Sequence, residues 1–186
     1  MTAILRPALP LPETATLLVV DIQERLMPAM LADEQASIVK HVGNLVALFA
    51  ERGGNIVYSE QYPKGLGTTV GALASELGAA HRIEKMAFSV AQDPAWAEAP
   101  KQHDIVLVGM EAHVCVLLTG LDLLAAKHRV FVPHDAVASR SPRNRDNGLA
   151  LLASHGAHIV NTETIIFNAL GKAGGDAFKR FSARIR

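Results

Sequence analysis

The sequence predicts an α/β protein, a three-layer α/β/α domain built around a mainly parallel sheet of about six strands. Short apolar runs rich in β-branched residues alternate with longer segments in which apolar residues recur at helical spacing. The length of 186 residues suits one domain, and a hydrophobic content of 49% is ordinary for a protein with a buried core. We therefore expect a single domain over residues 1–186.

Most of the predicted strands are short apolar runs bounded by turn-forming or charged residues, and the more polar segment His81–Glu84 is a further short candidate. The runs are Thr16–Val20, Asn55–Ser59, His81–Glu84, Asp104–Val108, Arg129–Pro133 and Ala157–Val160. The second run is followed by residues 60–67, which contain several turn formers and predict a loop. Runs of this kind separated by helices are typical of parallel βαβ units.

Three segments between these runs have the apolar spacing of helices. The first contains Ile38–Phe49 and ends at Arg52-Gly53-Gly54. The other two span Val114–Lys127 and Pro142–His155. Ser141 is the expected N-cap of the last helix, because a proline fits the first turn that follows it.

The charge balance disfavours a polyanionic partner. Lys and Arg number 18, as do Asp and Glu, so nothing steers the protein toward nucleic acid or an anionic membrane. A single cysteine excludes an internal disulfide and a Cys-rich zinc site, and a reducing cytoplasm is the expected location. The first 15 residues contain three prolines and do not resemble a signal peptide. No apolar run approaches the roughly 20 residues that cross a bilayer.

Chemically active side chains follow several predicted strands. Asp21 follows the first strand, Lys85 the third, and Cys115 the fourth. Since ligands bind at the carboxyl ends of parallel strands, we expect these three side chains at one edge of the sheet. Cys115 also begins a predicted helix, where the helix dipole would lower the pKa of a thiol and favour the nucleophilic thiolate.

Each of these residues has a simpler structural interpretation. A lone cysteine is most often a small buried apolar residue, and an aspartate after a strand often caps a helix. Lysines are usually solvated at the surface. A Cys–His pair with His113 is a further alternative, although residues two apart at a helix start do not face each other. His155 and His158 lack the spacing of a metal site, and the basic segment Ser139–Arg145 is expected to be solvated.

Three separated motifs resemble the isochorismatase-like cysteine hydrolase superfamily, which includes nicotinamidases, carbamoylsarcosine amidohydrolases and isochorismatases. They are Val19-Val20-Asp21-Ile22-Gln23, Lys85 followed by Ala87-Phe88-Ser89, and Gly109-Met110-Glu111-Ala112-His113-Val114-Cys115. Residues 59–67, which read Ser-Glu-Gln-Tyr-Pro-Lys-Gly-Leu-Gly, are most similar to the isochorismatase domain-containing subgroup. The resemblance extends over nearly the whole chain and implies that Cys115 is catalytic.

The resemblance implies a triad of Asp21, Lys85 and Cys115. In that scheme Asp21 accepts the thiol proton, Lys85 provides a nearby positive charge, and Cys115 attacks a carbonyl carbon. The family's oxyanion hole maps to the backbone amides of Glu111 and Cys115. The family also has a cis peptide there, which would fall between Met110 and Glu111.

Departures from the family motifs reduce the number of family activities that the resemblance implies for this chain. Nicotinamidases carry Asp-x-His after the second strand, where this chain has Glu60-Gln61-Tyr62, so neither an active-site metal nor another cofactor is implied. Isochorismatases that cleave a vinyl ether lack the nucleophilic cysteine that is present here. The resemblance also implies side chains that contact a small-molecule substrate, namely Gln23, Leu26, Gln61, Tyr62 and Phe88.

The function expected from these observations is metal-independent hydrolysis of an amide or related C–N bond through a thioester. The alternative is a thiol redox or ligand-binding protein that has the same fold without turnover. Family members are commonly homo-oligomers, so we expect an interface near Leu26–Leu31 or near a C-terminal helix that carries Phe178, Phe181 and Ile185. The alternative for that helix is that it docks on its own domain.

Overall fold

A parallel sheet of seven strands forms the centre of the computed structural model, which describes residues 9–185. The strands are β1 (Ala15–Val20), β2 (Asn55–Gln61), β3 (His81–Lys85), β4 (Asp104–Met110), β5 (Arg129–Pro133), β6 (Val137–Ala138) and β7 (His158–Val160). The order across the sheet is β3-β2-β1-β4-β5-β7, and β6 pairs with the end of β4. All of these pairings are parallel.

Helices cover both faces of this sheet, as the sequence predicts. They are α1 (Ala32–Glu51), α2 (Pro63–Leu66), α3 (Gly71–Leu77), α4 (Ala95–Glu98), α5 (Cys115–Ala125), α6 (Pro142–Ser154), α7 (Thr162–Leu170) and α8 (Gly175–Ile185). Because side chains alternate along a strand, Leu17 and Val19 of β1 pack with α1, α3, α7 and α8. Leu18 and Val20 pack on the other face with α4, α5 and α6. The three-layer α/β/α architecture is therefore confirmed.

Four strands, β1 to β4, extend one or two residues further than predicted. Strand β2 continues through Glu60 and Gln61, which pair with Glu84 and Lys85 of β3. Polar side chains at the sheet edge do not prevent this, because the ladder is made by backbone groups. The predicted loop over residues 60–67 is correspondingly wrong at its start, and the turn α2 occupies part of the rest.

The seventh strand is the main departure from the predicted count of about six. Strand β6 has only two residues, Val137 and Ala138, which pair with Gly109 and Met110 of β4. A strand of two residues is too short to produce a periodic pattern of apolar residues in the sequence. The predicted N-cap at Ser141 is correct in position, but its side chain makes no capping hydrogen bond.

The two apolar segments predicted to lie near an oligomer interface bury some of their side chains within the domain. Met27 and Met30 belong to the core, whereas Leu31 is half-exposed. In the C-terminal helix α8, Phe181 is buried in the same core and Ile185 packs against it. This helix therefore docks on its own domain, which is the alternative that the sequence left open for it.

No helix within residues 9–185 is long and apolar enough to cross a bilayer.

Candidate active site

Asp21, Lys85 and Cys115 meet at the carboxyl edge of the sheet. Asp21 follows β1, Lys85 is the last residue of β3, and Cys115 is the first residue of α5. Their exposed fractions are 0%, 1% and 6% respectively, so all three are enclosed by the protein. Strand order explains the convergence, because β1 lies between β4 and β2, and β3 lies beyond β2.

Asp21 and Lys85 form a buried ion pair. Nζ of Lys85 lies 2.7 Å from Oδ2 of Asp21, and the Ser59 hydroxyl donates a hydrogen bond of 2.7 Å to Oδ1 of the same carboxylate. Charges this deep persist only when paired and hydrogen-bonded. The simpler interpretations of Lys85 as a surface lysine and Asp21 as a helix cap are therefore wrong.

Further acceptors surround the Lys85 ammonium. Oε1 of Gln61 lies 2.7 Å from Nζ, and the carbonyl oxygens of Phe88 and Ala87 lie at 3.1 Å and 3.3 Å. Together with Asp21, these groups satisfy a cation that has three donors and no acceptor. The Lys85 side chain is therefore held in one position by hydrogen bonds from several parts of the chain.

The Cys115 thiol lies beside this pair and interacts electrostatically with both of its members. Burial raises the pKa of the Cys115 thiol to about 12, and the negative charge of Asp21 adds to the increase, whereas the positive charge of Lys85 opposes it. The prediction that the helix dipole would lower this pKa is therefore wrong in direction. At neutral pH the resting thiol therefore keeps its proton.

The backbone around the site adopts two uncommon conformations. Gly109 has φ 125°, and a Cβ atom there would lie 2.1 Å from the carbonyl oxygen of Val20. Only glycine allows β4 to approach β1 this closely just before the turn to Cys115. The peptide bond between Met110 and Glu111 is cis, as the resemblance implied.

Glu111 and Arg140 form an ion pair at the rim. The guanidinium and the backbone amide of Arg140 both donate to the Glu111 carboxylate, and the shortest of these contacts is 2.6 Å. Burial alone would raise the pKa of Glu111, but the hydrogen bonds and charge of Arg140 outweigh it and hold that pKa below its ordinary value. The pair ties the loop before Cys115 to the segment after β6.

A cavity of about 230 Å³ opens beside the thiol. It is lined by Asp21, Leu26, Gln61, Leu66, Phe88, Glu111, Val114, Cys115 and Arg140. A space of this size suits a small molecule and is too narrow for a folded macromolecule. Three of the predicted substrate contacts, Leu26, Gln61 and Phe88, are among its lining residues.

The other two predicted contacts, Gln23 and Tyr62, lie outside this lining. The side chain of Gln23 is fully buried. Its Nε2 donates hydrogen bonds to the carbonyl oxygens of Gln61 and Gly67, and its Oε1 accepts one from the backbone amide of Gln61. Gln23 therefore holds Gln61 in place. Tyr62 lines a neighbouring cavity of about 250 Å³ with Pro63 and other residues.

Sequence reasoning missed several residues of the site. Leu66 and Val114 line the cavity, and Ser59 binds Asp21, but apolar and hydroxyl side chains carried no distinguishing signal. Arg140 was part of a basic segment expected to be solvated. Its place after a strand was the available signal, but β6 is too short to be predicted.

The histidines lie apart from this chemistry. Nδ1 of His113 lies 3.0 Å from the Ser139 hydroxyl, and its Nε2 lies 3.4 Å from the side-chain nitrogen of Asn144, so both ring nitrogens face groups other than Cys115. His155 and His158 are exposed, as expected. Within residues 9–185, no cluster of three or more His, Cys, Asp or Glu side chains has the arrangement of a metal site.

Comparison with known proteins supplies the family. A family model described as "Isochorismatase domain" matches residues 15–164. The chain belongs to the isochorismatase family. The relative named isochorismatase domain-containing protein 1, from Salmo salar, is 32% identical over 95% of this chain and 62% of its own length. This chain therefore spans less than two thirds of that relative.

Solved structures agree with this assignment. A structure described as MAR1 ribonuclease from Caenorhabditis elegans has a TM-score of 0.87 and 32% identity, and the match covers 96% of this chain and 92% of that one. The Escherichia coli YcaC protein, described as an octameric hydrolase of unknown specificity, has a TM-score of 0.85 but 18% identity, with coverage of 97% and 92%. At that identity it supports the fold alone.

Proposed function

We propose that this isochorismatase-family protein is a metal-independent cysteine hydrolase that cleaves an amide or related C–N bond of a small molecule. The observation that carries the proposal is the position of the Cys115 thiol, which lies at the wall of a small cavity beside the buried Asp21–Lys85 pair. In that pair, Nζ of Lys85 lies 2.7 Å from Oδ2 of Asp21. A nucleophile, a base and a fixed positive charge are the parts that acyl transfer requires.

In the first step, the proton of the Cys115 thiol moves to Asp21 as sulfur attacks the substrate carbonyl carbon. The raised thiol pKa favours this concerted transfer over a preformed thiolate. Lys85 offsets the negative charge that develops on sulfur. The amides of Glu111 and Cys115 would bind the oxyanion. Cys115 begins α5, so its amide has no acceptor one turn earlier in the helix.

In the second step, the tetrahedral intermediate collapses, the C–N bond breaks, and Asp21 returns the proton to the leaving nitrogen. A thioester remains on Cys115. Asp21 is again a carboxylate and can take a proton from water as its oxygen attacks the thioester carbon. The C–S bond then breaks, and the sulfur recovers a proton from Asp21, so the resting pair is restored.

The alternative of a redox-sensing thiol fits the site less well. Redox-sensing cysteines are exposed and have lowered pKa values, whereas Cys115 is 6% exposed and burial raises its pKa. A second cysteine that could close a disulfide is also lacking from the sequence.

The hydrogen bonds of the last two residues of β2 support metal independence. One oxygen of Glu60 accepts hydrogen bonds from the amide and the hydroxyl of Thr69, and its other oxygen pairs with Arg82 at 2.7 Å. The neighbouring Gln61 amide is committed to Lys85 and to the carbonyl of Met86. The carboxylate that stands in the position of the nicotinamidase metal motif is therefore already fully paired.

An activity screen tests this proposal. Purified protein and Cys115→Ala are incubated with small primary amides, secondary amides and ureido acids, and the released amine or ammonia is measured. We expect wild-type turnover and a mass increase on Cys115 that corresponds to a thioester, and neither in the variant. Because one similar structure is described as a ribonuclease, short RNA is included. Cleavage of RNA but of no amide would overturn the proposal.

We also propose that the protein is a cytoplasmic homo-oligomer. The large apolar side chains Tyr62, Met86 and Phe88 are 48%, 71% and 57% exposed near the cavity, which supports a contact surface in this region. The octameric description of YcaC agrees with assembly in this fold. Light scattering across a dilution series tests it, and a constant mass of 19.9 kDa would contradict it.

A further inference from the structure

The two oxygens of the Asp21 carboxylate have different partners. Oδ2 accepts a hydrogen bond from the Lys85 ammonium, and Oδ1 accepts one from the Ser59 hydroxyl, both at 2.7 Å. Ser59 lies on β2, which pairs in parallel with β1, and its carbonyl oxygen accepts the backbone amide of Asp21. Ser59 is 1% exposed, so bulk water does not compete for its hydroxyl.

These partners make the oxygens unequal as proton acceptors. An ammonium has only donors, so a proton on Oδ2 would turn a strong acceptor of the Lys85 hydrogen bond into a weak one. The other acceptors of Lys85 are the neutral oxygens of Gln61, Ala87 and Phe88, so they do not replace the lost interaction between the ammonium and a negative charge. The Ser59 hydroxyl is both donor and acceptor and can rotate, so a proton on Oδ1 is accommodated.

We propose that Oδ1 of Asp21 carries the proton exchanged with Cys115, and that Ser59 is the positioning residue that sets how strongly Oδ1 holds it. The inference rests on the proposed function in that it takes Asp21 as the base for the thiol. It adds a fourth side chain whose hydrogen bond determines where the shared proton resides.

The direction of the effect follows from the charge of Asp21. A hydrogen bond to a carboxylate stabilises its charged form, so Ser59 favours the resting arrangement in which the proton stays on sulfur. Without this hydroxyl, the arrangement with a thiolate and a neutral Asp21 becomes more populated. The thiol should then react faster with an alkylating reagent, whereas damage to the site would slow that reaction.

The matched pair Ser59→Thr and Ser59→Val isolates the hydroxyl, because these β-branched side chains differ mainly by one oxygen and suit a strand. Iodoacetamide transfers its carbamidomethyl group to the sulfur and releases iodide. Because Cys115 is the only cysteine, the extent of its alkylation is measured from the mass of the intact protein. At neutral pH we expect the Val variant to react about tenfold faster than the Thr variant, as loss of one hydrogen bond to a charged group implies.

Two controls make the result specific. Adding Asp21→Asn to both variants should abolish the difference between them. Ser89→Ala removes a buried hydroxyl that has no hydrogen-bond partner, and it should react like wild type. If the Val variant does not fold, Ser59→Ala against wild type gives the same comparison.

Equal rates for the hydroxyl-bearing and hydroxyl-free variants, or a slower Val variant, would overturn the inference. This measurement needs no substrate. Its failure is therefore distinguishable from failure of the proposed hydrolase activity, which only the amide screen reports.

Discussion

Replacing Lys85 by methionine should destabilise the protein strongly, because the substitution leaves the Asp21 carboxylate buried without its cation. Both side chains of the pair are fully shielded from solvent, and Nζ lies 2.7 Å from Oδ2. Removing one partner of such a pair typically costs about 3–5 kcal/mol. This is a large part of the roughly 5–15 kcal/mol that stabilises a domain.

A double-mutant cycle separates the unpaired charge from the loss of packing. In Asp21→Asn with Lys85→Met, neither charge remains, so we expect the double variant to be more stable than Lys85→Met alone by about 2 kcal/mol or more. Lys179→Met removes an exposed lysine on α8 and serves as the matched control, with a change within about 0.5 kcal/mol.

Urea unfolding followed by tryptophan fluorescence measures these free energies, since Trp96 is the only tryptophan and is 6% exposed in the fold. The reasoning would be refuted if Lys85→Met unfolded at the same urea concentration as the Lys179→Met control. It would also be refuted if the double variant were less stable than Lys85→Met, because the unpaired carboxylate would then not be the source of the instability.

Three further predictions concern the site. Cys115→Ser should reduce turnover by about 10³-fold or more while the circular dichroism spectrum stays native. If the variant turned over substrate as fast as wild type, Cys115 would be excluded as the nucleophile. Dialysis against chelators should leave turnover unchanged. Removal of a stoichiometric amount of metal together with loss of activity would contradict this prediction. Arg140 holds the pKa of Glu111 below its ordinary value, so this pair stabilises the fold above the ordinary glutamate pKa, and the contribution disappears as the pH falls through the lowered value. The stability difference between wild type and Arg140→Gln in urea should therefore shrink on acidification, and a constant difference would contradict it.

Much of the fold is visible in local sequence patterns. Central strands such as β1 and β4 follow from short apolar runs, because a strand buried on both faces needs apolar residues along most of its length. Strand ends also place Asp21, Lys85 and Cys115 at one edge, since the carboxyl ends of parallel strands meet there whatever the loops do. Their roles as a triad are what the family resemblance implies.

The state of the site depends on contacts that a local pattern does not contain. The sequence favoured a lowered pKa for Cys115 from its place at a helix start, but burial and the charge of Asp21 raise it. Gln23 and Gln61 were alike in the sequence as polar candidates. Only the structure separates the first, which holds backbone groups, from the second, which lines the cavity and holds Lys85.

The sequence by itself determined the three-layer architecture and the sheet edge at which Asp21, Lys85 and Cys115 lie, because apolar periodicity and strand ends are local properties. The tertiary structure decided which oxygen of Asp21 meets Lys85 and which meets Ser59, and it joined Arg140 to Glu111 through the two-residue strand β6. Charge placement of this kind depends on burial and on partners from distant parts of the chain, so it is fixed only when the chain has folded.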